Sequence, residues 1–187
     1  MKLFILLLGF LFTYLPAEAS KPLLDNPSHN NKVFKELIEQ AQLGNSEAQF
    51  LIGEAYDTGD ITFQNKMKAL KWYKLSGNQG HIKAQYNLGV MFQDGDGILQ
   101  SNEKAMHWYL LAAKQDDADA QYALGYLYGE QDKIKAYAWL SLAESKGHQH
   151  AKIYVETMSA LLSPDELIKG EALMKKYKQD IKSQLSQ

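Results

Sequence analysis

From Val33 onward, apolar and small residues recur at intervals of three and four. In the stretch from Ala84 to Phe92 (AQYNLGVMF), Ala84, Leu88 and Phe92 fall on one stripe, with Gln85 and Gly89 beside it. That spacing predicts a helix with one buried face and excludes a strand, whose faces alternate residue by residue. The same phrase stands at Ala48 (AQFLIGEAY) and at Ala120 (AQYALGYLY), each copy 36 residues after the last. A second helical pattern follows each copy: Ala69-Leu70-Lys71-Trp72-Tyr73, then Ala105-Met106-His107-Trp108-Tyr109, then, more loosely, Ala136-Tyr137-Ala138-Trp139-Leu140. Ala and Trp three apart share a helix face, so Trp72, Trp108 and Trp139 are equivalent positions. Between the two patterns lie Asp57-Thr58-Gly59-Asp60 and Asp94-Gly95-Asp96-Gly97, which are turn sequences. Each unit is therefore predicted to be a helical hairpin, helix A followed by helix B.

Gly inside a helix costs roughly 1 kcal/mol relative to Ala, so Gly53, Gly89 and Gly125 need a reason. The expected one is clearance: a Trp or Tyr ring of helix B lies against the backbone of helix A. Ala48, Ala84 and Ala120 serve the same close approach earlier in the helix. One hairpin cannot bury its apolar face, whereas stacked neighbours share a continuous core. The third unit has eight residues from Tyr128 to Ala136 where the others have thirteen, so its inter-helix loop is shorter. At the N-terminal end, Val33 to Leu43 occupies the helix-B register without a Trp and reads as a capping helix. At the other end, Ala151-Lys152-Ile153-Tyr154 keeps the Ala column but puts Glu156 where Gly is due. The closing helix opens on Ser163-Pro164-Asp165-Glu166, a capping box with Pro in the first turn. A second capping box is expected at Ser46-Glu47-Ala48-Gln49.

A 36-residue period with Ala-x-x-x-Leu-Gly-x-x-Tyr in helix A and Ala-x-x-Trp-Tyr in helix B resembles the Sel-1-like repeat, a relative of the tetratricopeptide repeat. The resemblance implies an all-α fold, a right-handed α-solenoid of antiparallel helix pairs. Residues 33–187 are expected to form one repeat domain: a capping helix at 33–43, repeats at about 44–79, 80–115 and 116–146, and a degenerate repeat with a C-terminal cap over 147–187. Before it, Met1-Lys2, the apolar run Leu3 to Leu15 and Ala17-Glu18-Ala19 read as a cleavable signal peptide over 1–19. The run of about 13 residues is short for a bilayer span of about 20, so no stable membrane insertion is expected after cleavage. Residues 20–32 have a linker composition, with two Pro and three Asn. Export implies a periplasmic or secreted protein. The chain has no Cys, so packing alone must stabilise it there.

Composition narrows function. The chain carries 20 basic and 22 acidic residues for a net charge of −2, and every basic residue is Lys. This argues against nucleic acid, which asks for a concentrated basic patch and for Arg to read bases. Candidate chemistry is thin. Ser101-Asn102-Glu103-Lys104 matches the Ser-x-x-Lys of penicillin-recognising enzymes, and Cys-rich relatives in the repeat family have been linked to β-lactam binding. Here the stretch falls at a helix start, where Ser is a cap, and no Lys-Thr-Gly accompanies it. His81 and His148 share a column and read with His150 as solvated turn histidines rather than a metal site. Asp94-Gly95-Asp96-Gly97 lacks the remaining ligands of a calcium loop. No catalytic residue, metal or cofactor is therefore assigned.

Binding fits better. In the related tetratricopeptide fold the concave surface is lined by helix-A positions off the packing stripe. Carried over, these are Glu47, Phe50, Glu54 and Asp57, then Lys83, Tyr86, Val90 and Gln93, then Asp119, Tyr122, Tyr126 and Glu130. The rings among them suit a peptide groove; equally, they pack between neighbouring A helices. Gln49, Gln85 and Gln121 are expected to hydrogen-bond a turn of the adjacent unit. The expected function is a non-enzymatic protein-binding module of the bacterial envelope, holding a segment of an envelope complex component, a toxic effector or a host protein as scaffold, regulator or immunity protein. The alternative is a hydrolase acting on cell-wall or β-lactam substrates.

Overall fold

The computed structural model describes residues 27–129 and 131–186, so the expected signal peptide, the first part of the expected linker and Glu130 lie outside the described residues. The order is α1 (Pro27–Gln42), α2 (Ser46–Thr58), α3 (Lys66–Asn78), α4 (Ile82–Asp94), α5 (Asn102–Ala113), α6 (Ala118–Tyr128), α7 (Lys133–Ser145), α8 (Ala151–Leu161) and α9 (Pro164–Leu185). Among the described residues there is no strand. From α1 to α8 each helix packs on the one before and the one after. The A helices α2, α4, α6 and α8 thus form one layer and the B helices α1, α3, α5 and α7 the other, as an all-α solenoid requires. Helix α1 starts at Pro27, six residues before the expected onset of order. Pro is acceptable in a first turn because its missing N–H has no helical partner there.

The helix starts repeat as columns. Asn45, His81 and Asp117 each accept a hydrogen bond from the amide three residues on, at Ala48, Ala84 and Ala120. The expected capping box at Ser46 is therefore not formed: Asn45 is the cap, and Gln49 turns away to donate to the Ala41 carbonyl at 3.0 Å. At α9 the expected box is present, with Ser163 N–H donating to Glu166 Oε2 at 2.9 Å.

The glycine column is a clearance. A Cβ at Gly53 would lie 2.6 Å from Tyr73 Cδ1, and one at Gly89 only 2.4 Å from Tyr109 Cδ1. The ring is the Tyr, not the Trp, and in the third unit Leu140 takes its place. The buried tyrosines then hand their hydroxyls to helix A, Tyr73 to Asp57 at 3.2 Å and Tyr109 to Gln93 at 2.9 Å. Desolvation pushes both phenols well above the usual tyrosine range. Lysines preceding the helix-B Ala column lie over the rings that end helix A. Lys68 Nζ is 4.8 Å from the Tyr56 centroid, Lys104 5.4 Å from Phe92 and Lys135 5.3 Å from Tyr128.

Buried glutamines stitch the units, as expected. Gln49, Gln85 and Gln121 donate to the Ala41, Gly77 and Ala113 carbonyls at the ends of the preceding B helices. Gln79 and Gln115 in turn donate to Gln49 and Gln85 at 2.7 and 2.8 Å. The third unit breaks the series. Lys146 stands where the next Gln would be and pairs with Asp116, leaving Gln121 Oε1 buried without a partner. Asp116 itself adopts the left-handed conformation, φ 74°, in a column otherwise held by Gly44, Gly80 and Gly147.

The array is closed by α9. This helix packs chiefly on α7 rather than on α8, its neighbour in sequence. Glu156 occupies the clearance column of α8, so no helix can approach there as B helices approach Gly53 and Gly89. Clearance is supplied elsewhere: a Cβ at Gly170 would lie 2.6 Å from Tyr137 Cδ1. Tyr177 stacks on Trp139 with centroids 4.3 Å apart, and Ile181 is buried beside them.

Candidate functional site

The A layer presents one helix face with accessible residues along each of its helices. Counting from the Ala column, the accessible positions are −1, +3, +6 and +10, a spacing of four, three and four that lines one side of a helix. In α2 these are Glu47, Leu51, Glu54 and Thr58; in α4, Lys83, Asn87, Val90 and Asp94; in α6, Asp119, Ala123 and Tyr126. Helix α8 adds Tyr154 and Thr157. All are exposed or half-exposed. Beside Asn87 and Val90 a hollow of about 150 Å³ opens between α2 and α4, reaching Asp57 and Lys66.

The expected binding residues divide accordingly. Glu54, Val90 and Tyr126 are on this face, Tyr126 being 50% exposed. Phe50 is not: it is 5% exposed and stacks on His81, the cap of the next A helix, at 4.6 Å. Tyr86 and Tyr122 of the same column are half-buried. Tyr86 leans on Tyr109 at 5.6 Å, and Tyr122 stacks on His148 at 4.2 Å. Burial, then Tyr154 beside it, pushes the Tyr122 phenol up to about 12. Gln93 and Asp57 are turned to the tyrosines of helix B, and Asp57 also accepts from Lys66 at 2.8 Å. The aromatic column is thus packed, Phe50 and Tyr122 on the histidines that lead into the next A helix and Tyr86 on helix B, while Tyr126, one turn on from Tyr122, keeps half its surface exposed. Leu51, Asn87, Ala123 and Tyr154, which sequence reasoning did not select, stand on the face; the four-then-three spacing from Glu47 and Glu54 is the signal for them.

The histidines differ from expectation too. His81 and His148 are not solvated: their side chains are 14% and 12% exposed. His81 Nδ1 caps α4 while its Nε2 lies 3.0 Å from Glu47, and His148 Nε2 lies 3.4 Å from Asp119. Among the described residues no three His, Asp or Glu side chains are grouped to hold a metal ion. Asp96, from the turn compared with a calcium loop, is bound to Lys66 at 2.5 Å. Ser101 is the N-cap of α5, and the Lys104 amino group lies over Phe92. The nucleophile and base of a Ser-x-x-Lys site are therefore not brought together.

Charge is segregated between the layers. The A helices carry Glu47, Glu54, Asp57, Asp94, Asp119 and Glu156 against Lys83 and Lys152 alone. The B helices with α9 carry fourteen lysines and eight carboxylates. The near-zero net charge therefore conceals an acidic layer back to back with a basic one. The acidity is felt locally: partial desolvation lifts the Glu54 carboxyl above its ordinary range, Lys83 opposes this, and Asp57, Asp60 and Glu47 add to it.

No helix among the described residues is long and apolar enough to cross a membrane. The Sel1 repeat model matches residues 46–81, 82–117 and 118–148, in the register of the hairpins above. No match is found among curated proteins. Among solved structures, the chain is similar to a Sel1 repeat protein from Oxalobacter formigenes, with 30% identity and a TM-score of 0.60 over 66% of this chain and 96% of that one. It also shares its fold with c5321, a protective antigen of uropathogenic Escherichia coli strains displaying an SLR fold. There the identity is 22% and the TM-score 0.51, over 80% of this chain and 41% of that protein. Three repeats matched in series, each coinciding with one A–B hairpin, make this chain a member of the Sel1 repeat family.

Proposed function

We propose that the protein is a non-enzymatic docking module of the bacterial envelope, which holds a segment of another protein on the face formed by its A helices. Sel1 repeat proteins are generally protein–protein interaction modules. The observation that carries the reading is the accessible stripe of the A helices, with Glu54 and Tyr126 exposed and Val90 and Tyr154 half-exposed at matching places along successive helices. A rigid array with a repeated, solvent-facing stripe offers a partner several equivalent contacts at once. The apolar N-terminal run and Ala-x-Ala pattern support export, and with it a role as scaffold, regulator or immunity protein for an envelope component, a toxic effector or a host protein.

The test is site-specific photo-crosslinking in the native compartment, with the crosslinker at Tyr126 on the A face or at Lys71 on the B layer. Capture of one partner from Tyr126 and none from Lys71 is expected. Capture from Lys71 alone refutes the assignment of the face. Turnover of nitrocefin or peptidoglycan by the purified protein, lost on Ser101→Ala, would establish the hydrolase reading instead.

A further inference from the structure

We infer that the segment held on the A face is a basic one, an extended stretch of polypeptide whose lysine or arginine side chains meet the carboxylates of α2, α4 and α6 and whose path ends against the tyrosines of α6 and α8. This rests on the docking reading above and adds the chemistry of the occupant.

The first ground is how the chain's own cations are spent. Its lysine ion pairs lie on α1, on the turns and on the edge of the layer, at Glu36, Asp57, Asp96, Asp116 and Asp132. On the stripe itself, Glu47 and Asp119 face only a histidine each, and Glu54 and Asp94 have no ion-pair partner among the described residues. Lys83 is the single lysine there, and it opposes the rise in Glu54 without pairing with it. A surface that leaves its acids unpaired while the opposite layer carries a surplus of lysine presents a directed negative field. Such a field steers cationic segments and repels anionic ones.

The second ground is aromatic. Three rings of the repeat, Tyr56, Phe92 and Tyr128, already hold a lysine amino group of helix B. Tyr126 and Tyr154 hold none among the described residues. They meet edge to face, 5.7 Å apart at 83°, with Tyr126 half exposed. Two rings at a right angle form a corner, and a cation seated over an aromatic face within about 6 Å is attracted by its quadrupole. Asp119 stands seven residues, about two turns, earlier on the same helix. The face thus offers carboxylates at one end and, at the other, the half-exposed ring of Tyr126 braced by Tyr154, which itself packs edge to face on Tyr122.

The experiment uses the exported chain and two fluorescent peptides of equal length and apolar content, one carrying lysines at regular spacing and the other glutamates. The lysine peptide should bind about tenfold more tightly or better, and its affinity should fall as salt rises. Glu54→Lys with Asp119→Lys should abolish that preference while leaving the protein folded, with only a small fall in melting temperature from loss of the Asp119–His148 contact and of the carboxylate in the first turn of α6. Tyr126→Ala should weaken binding at high salt, where screening leaves the ring contact. Lys71→Glu, on the B layer, should change little. Equal affinity for both peptides, or a preference that survives reversal of the A face, overturns the inference.

The segment crosslinked to Tyr126 tests docking separately. A neutral or acidic captured segment leaves docking intact and refutes the charge assignment, whereas capture only from the B layer refutes docking. Salt-sensitive self-association abolished by Glu54→Lys would show that the acidic layer takes the basic layer of a second copy, and would likewise overturn the proposal.

Discussion

Gly89→Ala separates two effects of opposite sign. By helix propensity alone, Ala in the middle of α4 should stabilise the protein by about 1 kcal/mol. The packing says otherwise. The new methyl would lie 2.4 Å from two ring carbons of Tyr109, about 1 Å inside normal contact. That ring is not free to yield. Its hydroxyl donates to Gln93 at 2.9 Å, its centroid lies 5.6 Å from that of Tyr86, and the side chain is 2% exposed. Overpacking a site of this kind costs about 1–3 kcal/mol. A methyl about 1 Å inside contact with a ring held in this way belongs at the upper end of that range, about 2–3 kcal/mol, so with the propensity gain of about 1 kcal/mol subtracted a net loss of about 1–2 kcal/mol is expected, or about 2–8 °C in melting temperature for a domain of this size. Urea unfolding followed by circular dichroism and by tryptophan fluorescence measures it. A cycle with Tyr109→Ala sharpens the test, since the two losses should fall short of additivity by about 1 kcal/mol once the ring is gone. A Gly89→Ala protein as stable as the parent, or additive losses in the cycle, would refute clearance as the reason for the glycine column.

The other predictions concern the joints between units. Gly97→Ala, at φ 70° and with its methyl 2.4 Å from Lys66 Cβ, should destabilise by about 1 kcal/mol or more. Lys66→Met should cost under about 1 kcal/mol at physiological salt and more at low salt; an effect indifferent to salt would remove the ion-pair account. Asp116→Gly should raise stability by up to about 1 kcal/mol, relief of the left-handed backbone exceeding loss of the Lys146 pair; a lower melting temperature would contradict this. Gln85→Leu should cost about 1–3 kcal/mol by leaving the Gln115 amide without its acceptor and taking from the Gly77 carbonyl one of its two donors, the other being Gly80 N–H, and Gln121→Leu less, since Gln121 Oε1 already lacks a partner. Equal losses from the two would undo the ladder argument. Finally, the Tyr122 phenol, held at about 12, keeps its proton after the unfolded chain has lost it near 10, so unfolding gains ionised phenolate and stability falls as pH rises through that window. Tyr122→Phe should lessen that alkaline loss, as followed by phenolate absorbance and melting temperature.

The parts of the fold legible in the sequence were those enforced once per unit. The Ala, Gly and Trp columns repeat because each hairpin meets the same neighbour, and their spacing alone identified helices, turns and stacking order. The buried glutamines were legible for the same reason. What escaped was set by choices between equivalent partners. Asn45 and Ser46 are both good caps, and only the chain direction after Gly44 selects Asn45. Phe50 and Tyr126 are both rings on helix A, but their burial depends on His81 reaching Phe50 from the following unit, a contact 31 residues away. Helix α9 has the composition of a solvent-facing cap, yet Tyr177 and Ile181 are drawn into the core because α7 leaves Trp139 uncovered. The lysines over Tyr56, Phe92 and Tyr128 were visible as a Lys before each helix-B Ala, but their ring partners lie across the hairpin. The acidity of the A face was hidden by summation, since formal charge says nothing about which layer bears it.

The way α9 is laid along α7 has a consequence for how such a chain can grow. A hairpin duplicated within the array, between His81 and Ile82 for instance, would find the same Ala, Gly and Gln on either side and slot in. One appended after Leu161 would meet Glu156 in place of a glycine and a berth already occupied by the tail. The molecule can lengthen from its middle while its terminus stays shut.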